Sequence, residues 1–294
     1  MLVYQRKSLW FKGTLDKLAA WLNLRHGMTV VDVGCGLGYL GYTYWPYFGR
    51  QGTYIGVDGS LKLLIDARAA AKRWAANKRV RFIAGDAYKL PLPDNIADVT
   101  MCQTLLIHLE KPERAVSEMI RVTRPGGLVV CHEPDNISPR LSPFHSSLPE
   151  LKLEELLLFS KILLTANKGR IRMGLGDLMF GPRVPGLMSK LGLIDIEVRL
   201  NDRVFYIEPP YETSLQKQAL ENVKKELLDK TRAKIRRERE KKEFLAGGGD
   251  IDEYKKWLPI NKRIMRNLRK QADEGRYAAC GSSDFYVSKG TKPR

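Results

Sequence analysis

The stretch that most constrains this chain is an apolar run that leads into three alternating glycines. It reads Val30-Val31-Asp32-Val33-Gly34-Cys35-Gly36-Leu37-Gly38. The β-branched residues favour a buried strand, and the glycines permit the positive φ angles of a tight turn. Glycines also lack the Cβ atoms that would keep a ligand away from the backbone. We therefore expect a strand that turns into a helix beside a bound ligand.

Strand and helix patterns alternate on either side of this turn. The first five predicted strands are 29–33, 52–57, 80–84, 96–102 and 128–132. Two later apolar runs, 194–200 and 284–288, predict the remaining strands. Parallel strands joined by helices produce such alternation. The predicted fold class is α/β, with a doubly wound, mostly parallel seven-stranded sheet and helical insertions.

Polar residues stand where the predicted strands end. Besides Asp32 and the glycine turn, these residues are Asp58, Asp86, Gln103 and Glu133. Ligands of such sheets bind outside the carboxyl ends of the strands. We therefore expect these side chains to converge on one site.

The predicted organisation has a core and three additions. Residues 27–208 with 281–294 form the core, and 135–180 is a helical insertion within it. Residues 1–26 predict an N-terminal helix that either packs on the core or covers a ligand as a lid. Residues 209–280 predict a basic helical insertion, with a plain C-terminal appendage as the alternative.

Composition limits the partners and the compartment. The formal net charge of +17 favours a nucleic acid or an acidic partner, although many basic proteins have neither. No apolar run reaches the roughly 18 residues of a membrane span, and the first residues show no secretory signal. The four cysteines form no CxxC pair. We therefore expect reduced thiols, no metal site and a cytoplasmic protein.

Four motifs, in this order, resemble those of class I S-adenosylmethionine-dependent methyltransferases. They are Asp32–Gly38, Gly56-Val57-Asp58, Gly85-Asp86-Ala87 and Arg124-Pro125-Gly126-Gly127. Each motif is weak alone, but four in order at suitable spacing are specific, and the resemblance covers residues 27–134. Segment 103–108 and Glu133-Pro134 look most like the small-molecule and coenzyme branch. The resemblance implies a Rossmann-like fold, S-adenosylmethionine as cofactor and a small-molecule methyl acceptor.

The resemblance assigns the methionine end of the cofactor to the first motif. Gly34, Gly36 and Gly38 would let the backbone approach that end closely. Asp32 would hold the ammonium group, either directly or through water.

The later motifs would hold the nucleoside. Asp58 would accept hydrogen bonds from both ribose hydroxyls. Asp86 would accept from the adenine amino group while the N–H of Ala87 donates to a ring nitrogen; the alternative for Asp86 is a turn or helix cap. Gly59 and Gln103, which also follow strands, complete the expected cofactor set.

A nicotinamide-dependent dehydrogenase is the nearest alternative. Gly36–Gly41 satisfies the G-x-G-x-x-G pattern, and Asp58 lies at a suitable distance for a ribose. That alternative does not explain Asp32 or the motif Gly85-Asp86-Ala87.

Glu208-Pro209-Pro210-Tyr211 resembles a motif of enzymes that methylate exocyclic amines of nucleobases. That motif belongs after strand four, where this chain has Gln103-Thr104-Leu105-Leu106. We interpret 208–211 as a turn that ends a strand.

Methyl transfer from a sulfonium releases a neutral leaving group, so the protein mainly aligns the nucleophile and excludes water. A general base is needed only if the acceptor must lose a proton. The histidine candidates are His108, His132 and His145. His108 follows strand four, where the acceptor should lie, and serves either as the base or as a helix-start or core histidine. His132 and Glu133 alternate on a strand and should point to opposite faces, and we expect Glu133 to be the one that faces the pocket.

The two helical insertions are expected to form the acceptor pocket. The apolar helix 148–164 and the insertion 209–280 are the expected walls of this pocket. Three arginines either bind an acidic group of the acceptor or face solvent: Arg170, Arg172 and Arg183. Two other functions stay open: an RNA methyltransferase, and a non-catalytic cofactor-binding scaffold that recruits a partner through its basic helices.

Overall fold

The computed structural model describes residues 12–74, 79–141, 151–202, 204–282 and 284–294. The strands are β1 Thr29–Val33, β2 Thr53–Asp58, β3 Val80–Ala84, β4 Ala97–Gln103, β5 Thr123–Asp135, β6 Ile194–Leu200, β7 Val204–Ile207, β8 Ala279–Ser282 and β9 Asp284–Thr291. The helices are α1 Lys12–Trp21, α2 Tyr39–Phe48, α3 Leu61–Ala71, α4 Pro112–Val122, α5 Ser138–Leu141, α6 Leu153–Arg172, α7 Val184–Lys190, α8 Ser214–Leu228, α9 Lys230–Ala246 and α10 Ile251–Asp273.

The chain divides into two compact units. The first contains Met1–Asp135, Met179–Arg203 and Asp284–Arg294, and the second contains Asn136–Leu178 and Val204–Ser283. Both long insertions of the sequence therefore fall into the second unit.

The first unit is built on a seven-stranded sheet of order β3-β2-β1-β4-β5-β9-β6. Strands β1 to β5 are parallel, and β9 is antiparallel to both β5 and β6. This arrangement confirms the predicted fold class, including the use of the last apolar run as a sheet strand. Parallel strands buried on both faces read as continuous apolar runs, which explains the sequence of β1.

Burial of β1 sets the position of the glycine turn. Val30 belongs to the apolar cluster on one face of the sheet, whereas Val31 and Val33 belong to the cluster on the other. In register, Asp32 lies beside Gly56 of β2 and Met101 of β4. The turn that follows β1 therefore lies between the carboxyl ends of two neighbouring strands.

Helix α1 packs as part of the core of the first unit. Leu18, Ala19 and Leu22 are all buried in the same apolar cluster as Val30. The indole N–H of Trp21 donates to Glu197 of β6 at 2.8 Å. The start of the predicted N-terminal helix, and with it residues 1–11, lies outside the described residues.

The second unit combines helices with a two-stranded sheet of β7 and β8. Helices α6 and α9 approach each other closely at Gly169. A Cβ at this position would overlap the carbonyl oxygen of Glu243. A Cβ on Gly247 would likewise overlap the carbonyl oxygen of Thr165. The absence of side chains at these two positions therefore allows the helices to touch backbone to backbone. None of the helices in the described ranges is long and apolar enough to cross a membrane.

Two details of the second unit differ from the expected pattern. Val204–Ile207 pairs with Ala279–Ser282, so this run joins the second unit instead of extending the core to residue 208. The basic helical insertion expected over 209–280 is divided at Asp229, which ends α8 and begins α9. The carboxylate of Asp229 accepts from the N–H of Arg232, as an N-cap does.

Candidate functional site

The three glycines after β1 all adopt left-handed backbone angles, with φ of 67° at Gly34, 52° at Gly36 and 74° at Gly38. A Cβ on Gly34 would lie 2.7 Å from Leu105, and one on Gly38 would lie 3.1 Å from Phe82. A Cβ on Gly36 would meet no atom within 4 Å. Packing thus requires glycine at the first and third positions, whereas Gly36 leaves open space in front of the backbone.

The N–H groups of the turn donate within the fold. Those of Gly34 and Cys35 donate to the carbonyl of Val57 at 2.8 and 3.1 Å, and that of Gly36 donates to Asp58 at 2.8 Å. A turn that binds pyrophosphate needs N–H groups directed at the ligand. These three N–H groups are therefore not available to a pyrophosphate.

Asp58, at the end of β2, is held by two backbone donors. Its Oδ2 accepts from Gly36, and its Oδ1 accepts from the N–H of Ser60 at 2.8 Å. Each carboxylate oxygen keeps a second lone pair, so the half-buried group can still accept from two hydroxyls. A Cβ on Gly59 would find its nearest atom 3.9 Å away. The region beside Asp58 is therefore open.

Asp32 is 1% exposed and is braced from β2. The hydroxyl of Tyr54 donates to its Oδ2 at 2.6 Å. Burial raises the pKa of Tyr54 well above its usual value, and the charge of Asp32 adds to this effect. The phenol therefore stays protonated and holds the carboxylate beneath the turn. This partner could not be predicted from local patterns, because the contact joins two strands.

Asp86 is exposed in the structure and forms a turn of its own. Its Oδ1 accepts from the N–H of Tyr88 at 2.8 Å. That contact is the turn cap which the sequence left as the alternative. The adenine contacts of Asp86 and of the half-buried Ala87 stay predictions.

Gln103 ends β4 with a buried acceptor. The residue is 4% exposed, and its Oε1 has no hydrogen-bond partner among the described residues. The next residue, Thr104, has a φ of 54°, a strained angle for a β-branched residue. An unsatisfied buried acceptor costs about 1–3 kcal/mol, which a ligand N–H or O–H would recover. This orphan oxygen and the open space at Gly36 and Gly59 fit a cofactor that carries an ammonium group and a ribose.

Glu133 is held by the turn that follows β4. The residue is fully buried, and its Oε1 accepts from the N–H groups of Leu105 at 2.8 Å and Leu106 at 3.0 Å. Its Oε2 accepts from Ile107 at 3.3 Å. Burial raises the pKa of Glu133 to about 7, against the opposing effect of these donors. Because both oxygens are engaged, Glu133 positions the turn after β4. Its role as a general base stays a prediction.

The histidines separate by burial. His108 is exposed and ends the 3₁₀ turn Leu106–His108 that Glu133 holds. His132 is 1% exposed, contacts the hydroxyl of Tyr44 at 3.0 Å, and has its pKa lowered to about 4 by burial. His132 is therefore neutral and belongs to the core. His145 lies outside the described residues.

Arg170 is not available for an acceptor. Its guanidinium pairs with Glu243 at 2.7 Å and also donates to the carbonyl of Leu175. Arg172 donates to the carbonyl of Ala246 at 3.1 Å. These contacts tie the helices of the second unit together, so neither the acceptor-binding nor the solvent-facing expectation describes Arg170.

Comparison with known proteins gives the chemistry of this site a context. Residues 31–131 match a family model described as methyltransferase domain. An uncharacterised methyltransferase of Schizosaccharomyces pombe is 38% identical over 119 residues, which is 39% of this chain and 42% of that protein. A demethylmenaquinone methyltransferase of Desulfitobacterium hafniense is 34% identical over 119 residues, 40% of this chain and 47% of that protein. The chain thus spans less than half the length of these curated relatives.

The fold has a match among solved structures. A Bacillus halodurans protein proposed to be a methyltransferase superposes with a TM-score of 0.54 at 15% identity. The match covers 95% of this chain and 99% of that one. At this identity the likeness concerns the fold alone.

Proposed function

We propose that the protein is a class I S-adenosylmethionine-dependent methyltransferase that moves a methyl group from that cofactor to a small-molecule acceptor. The match of residues 31–131 with a methyltransferase domain supports this proposal. One contact carries the proposal: the N–H of Gly36 donates to the carboxylate of Asp58 at 2.8 Å. This hydrogen bond links the turn expected to approach the methionine end with the acid expected to bind the ribose.

The residues that would hold the cofactor lie at the ends of β1, β2, β3 and β4. The carbonyl oxygens of the glycine turn, with Asp32 behind them, suit the ammonium group. Asp58 and Gly59 suit the ribose, and Asp86 with Ala87 suits the adenine. Gln103 offers a buried acceptor that lacks a donor within the described chain.

When bound, the cofactor supplies an electrophilic methyl group on a sulfonium. The chain then has to orient the acceptor and exclude water. Glu133 fixes the turn after β4 through three backbone N–H groups, which places His108 at the end of that turn. We assign His108 as the general base for acceptors that must lose a proton.

The small-molecule class rests on the relatives. The match with a demethylmenaquinone methyltransferase supports a small-molecule acceptor. The +17 charge supports RNA as the second candidate acceptor.

Calorimetry with S-adenosylhomocysteine tests the cofactor assignment. Asp58→Ala should weaken binding by about 1.5–3 kcal/mol, because a charge-assisted acceptor is lost. The matched control is Asp66→Ala, since Asp66 is an exposed acid on α3. Equal affinities of Asp58→Ala and the parent protein, with the fold intact by circular dichroism, would show that the ribose assignment is wrong.

Methyl transfer itself is tested with radiolabelled cofactor and a cell extract. We expect the label in the metabolite fraction. Label in the RNA fraction would show that the acceptor is RNA, the second candidate, and not a small molecule. Cofactor binding without transfer to either fraction would favour the non-catalytic scaffold.

A further inference from the structure

Helix α10 presents two different faces. Its buried residues are Tyr254, Trp257, Ile264 and Ala272. The exposed cations are Lys255, Lys256, Lys262, Arg263, Arg266 and Lys270. With 3.6 residues per turn, these cations fall within an arc of roughly 120° opposite the buried face. Between Lys255 and Lys270 that arc contains no carboxylate.

Neighbouring acids neutralise only part of this row. Arg263 pairs with Glu155 at 2.7 Å, and Lys255 pairs with Asp252 at 2.8 Å. Lys270 lies 3.9 Å from Glu274. Within the described ranges, no ion pair holds the other three cations, which are Lys256, Lys262 and Arg266. The row therefore keeps an excess of positive charge.

We propose that this face of α10 docks single-stranded RNA through its phosphodiester backbone. The row from Lys255 to Lys270 extends over about 22 Å at 1.5 Å per residue, which is long enough for several consecutive phosphates. Helix α9 packs against the opposite, buried face of α10, where the hydroxyl of Tyr254 donates to the carbonyl of Arg237 at 3.0 Å. Arg237 and most residues around it on α9 are exposed and basic.

The chemistry of the face favours RNA over a membrane or an acidic protein. Helices that lie on membranes insert large apolar side chains, and protein interfaces use aromatic anchors. Pro259 is the apolar residue within the arc, and Leu258 lies at its margin. Without aromatic side chains the face cannot stack bases, so binding depends on phosphates and not on sequence.

The shape of the face favours a single strand. A flexible strand can bring consecutive phosphates onto the row of one helix, whereas the stiffness of a duplex, with a persistence length of about 50 nm for DNA, fixes the positions of its phosphates. Single strands in a cell are mainly RNA.

Fluorescence anisotropy of the full chain with a uridine oligonucleotide of about 20 residues tests the proposal. With roughly three to six phosphates neutralised, binding should weaken about 20- to 300-fold between about 50 and 200 mM salt. The variant Lys256→Gln/Lys262→Gln/Arg266→Gln should lower the salt slope by about 2. The control Lys62→Gln/Lys72→Gln/Arg73→Gln removes the same charge from exposed positions of the first unit and should leave the slope unchanged.

Several results would overturn the proposal. They are equal losses in both triple variants, tighter binding of a duplex of the same length, and preference for vesicles of phosphatidylserine and phosphatidylcholine. Should the triple variant fail to fold by circular dichroism, Arg266→Glu alone gives the same comparison at one exposed site. Label transfer onto the oligonucleotide would change the acceptor under the proposed function, whereas docking is decided by the salt slopes alone.

Discussion

The buried carboxylate of Glu133 gives the sharpest test of how the turn after β4 is held. In Glu133→Gln, the amide oxygen can still accept from Leu105 and Leu106, but the amide nitrogen then faces the N–H of Ile107. The N–H of Ile107 then loses its acceptor and faces another donor, which should lower the free energy of unfolding by about 1–3 kcal/mol. At acidic pH the glutamate is protonated in the folded state, so parent and variant are both uncharged at this position. The difference in stability there reports the lost hydrogen bond alone.

The pH dependence of the stability difference between the parent protein and Glu133→Gln is a more specific test. The pKa of Glu133 is raised from 4.5 to about 7 in the fold. The folded state therefore binds more protons than the unfolded state between these values, and stability decreases as pH rises through this window. At 1.36 kcal/mol per pKa unit the loss is about 3 kcal/mol. Glutamine does not titrate, so the stability difference between parent and variant should shrink by about that amount from pH 5 to pH 8.

His132 contributes with the opposite sign in the parent protein. Its pKa is lowered from 6.5 to about 4, so the unfolded state binds more protons in this window and stability rises with pH. In the parent protein, the contributions of Glu133 and His132 to the pH dependence of stability largely cancel. In Glu133→Gln only His132 titrates, so the free energy of unfolding should rise with pH. Urea denaturation at pH 5, 6, 7 and 8 measures both proteins. A stability difference that does not change with pH would refute the raised pKa and the burial argument behind it.

Two further substitutions test other contacts. Tyr54→Phe removes the donor to the buried Asp32 and should lower the free energy of unfolding by about 1–3 kcal/mol in urea denaturation, and an unchanged value would show that the hydroxyl does not brace the carboxylate. Gly169→Ala places a methyl group against the backbone of Glu243 and should destabilise the protein by about 2–3 kcal/mol. The helical control Gly186→Ala, whose Cβ would meet no atom within 4 Å, should be neutral or stabilising, and similar melting temperatures for both alanine variants would contradict the close helix contact.

Local patterns were sufficient to predict the sheet and the glycine turn. Burial on both faces leaves β1 as a continuous apolar run, and the turn needs glycine at Gly34 and Gly38 for conformation and packing. The short pattern at 284–288 was enough to predict that the chain returns to the sheet. These features depend on residues close together in sequence, which is why they could be read without a structure.

Contacts between distant residues could not be predicted in the same way. The alternation rule separated the faces of His132 and Glu133, but both faces of β5 are covered, so both side chains are buried. The role of Glu133 depends on a turn that lies 26 to 28 residues earlier in the chain. Val204–Ile207 is too short to reveal its partner, since a four-residue apolar run fits either sheet.

The strand order has a consequence for synthesis on the ribosome. β9 is the last strand of the chain, yet it lies between β5 and β6, and β6 forms its ladder with β9. Until β9 has been synthesised, β5 therefore has an unpaired edge and β6 has no strand to pair with. Unpaired edges are the sites where chains associate wrongly. Residues 284–294 thus complete the sheet, and a nascent chain that stops before Asp284 leaves the edge of β5 and the strand β6 unpaired.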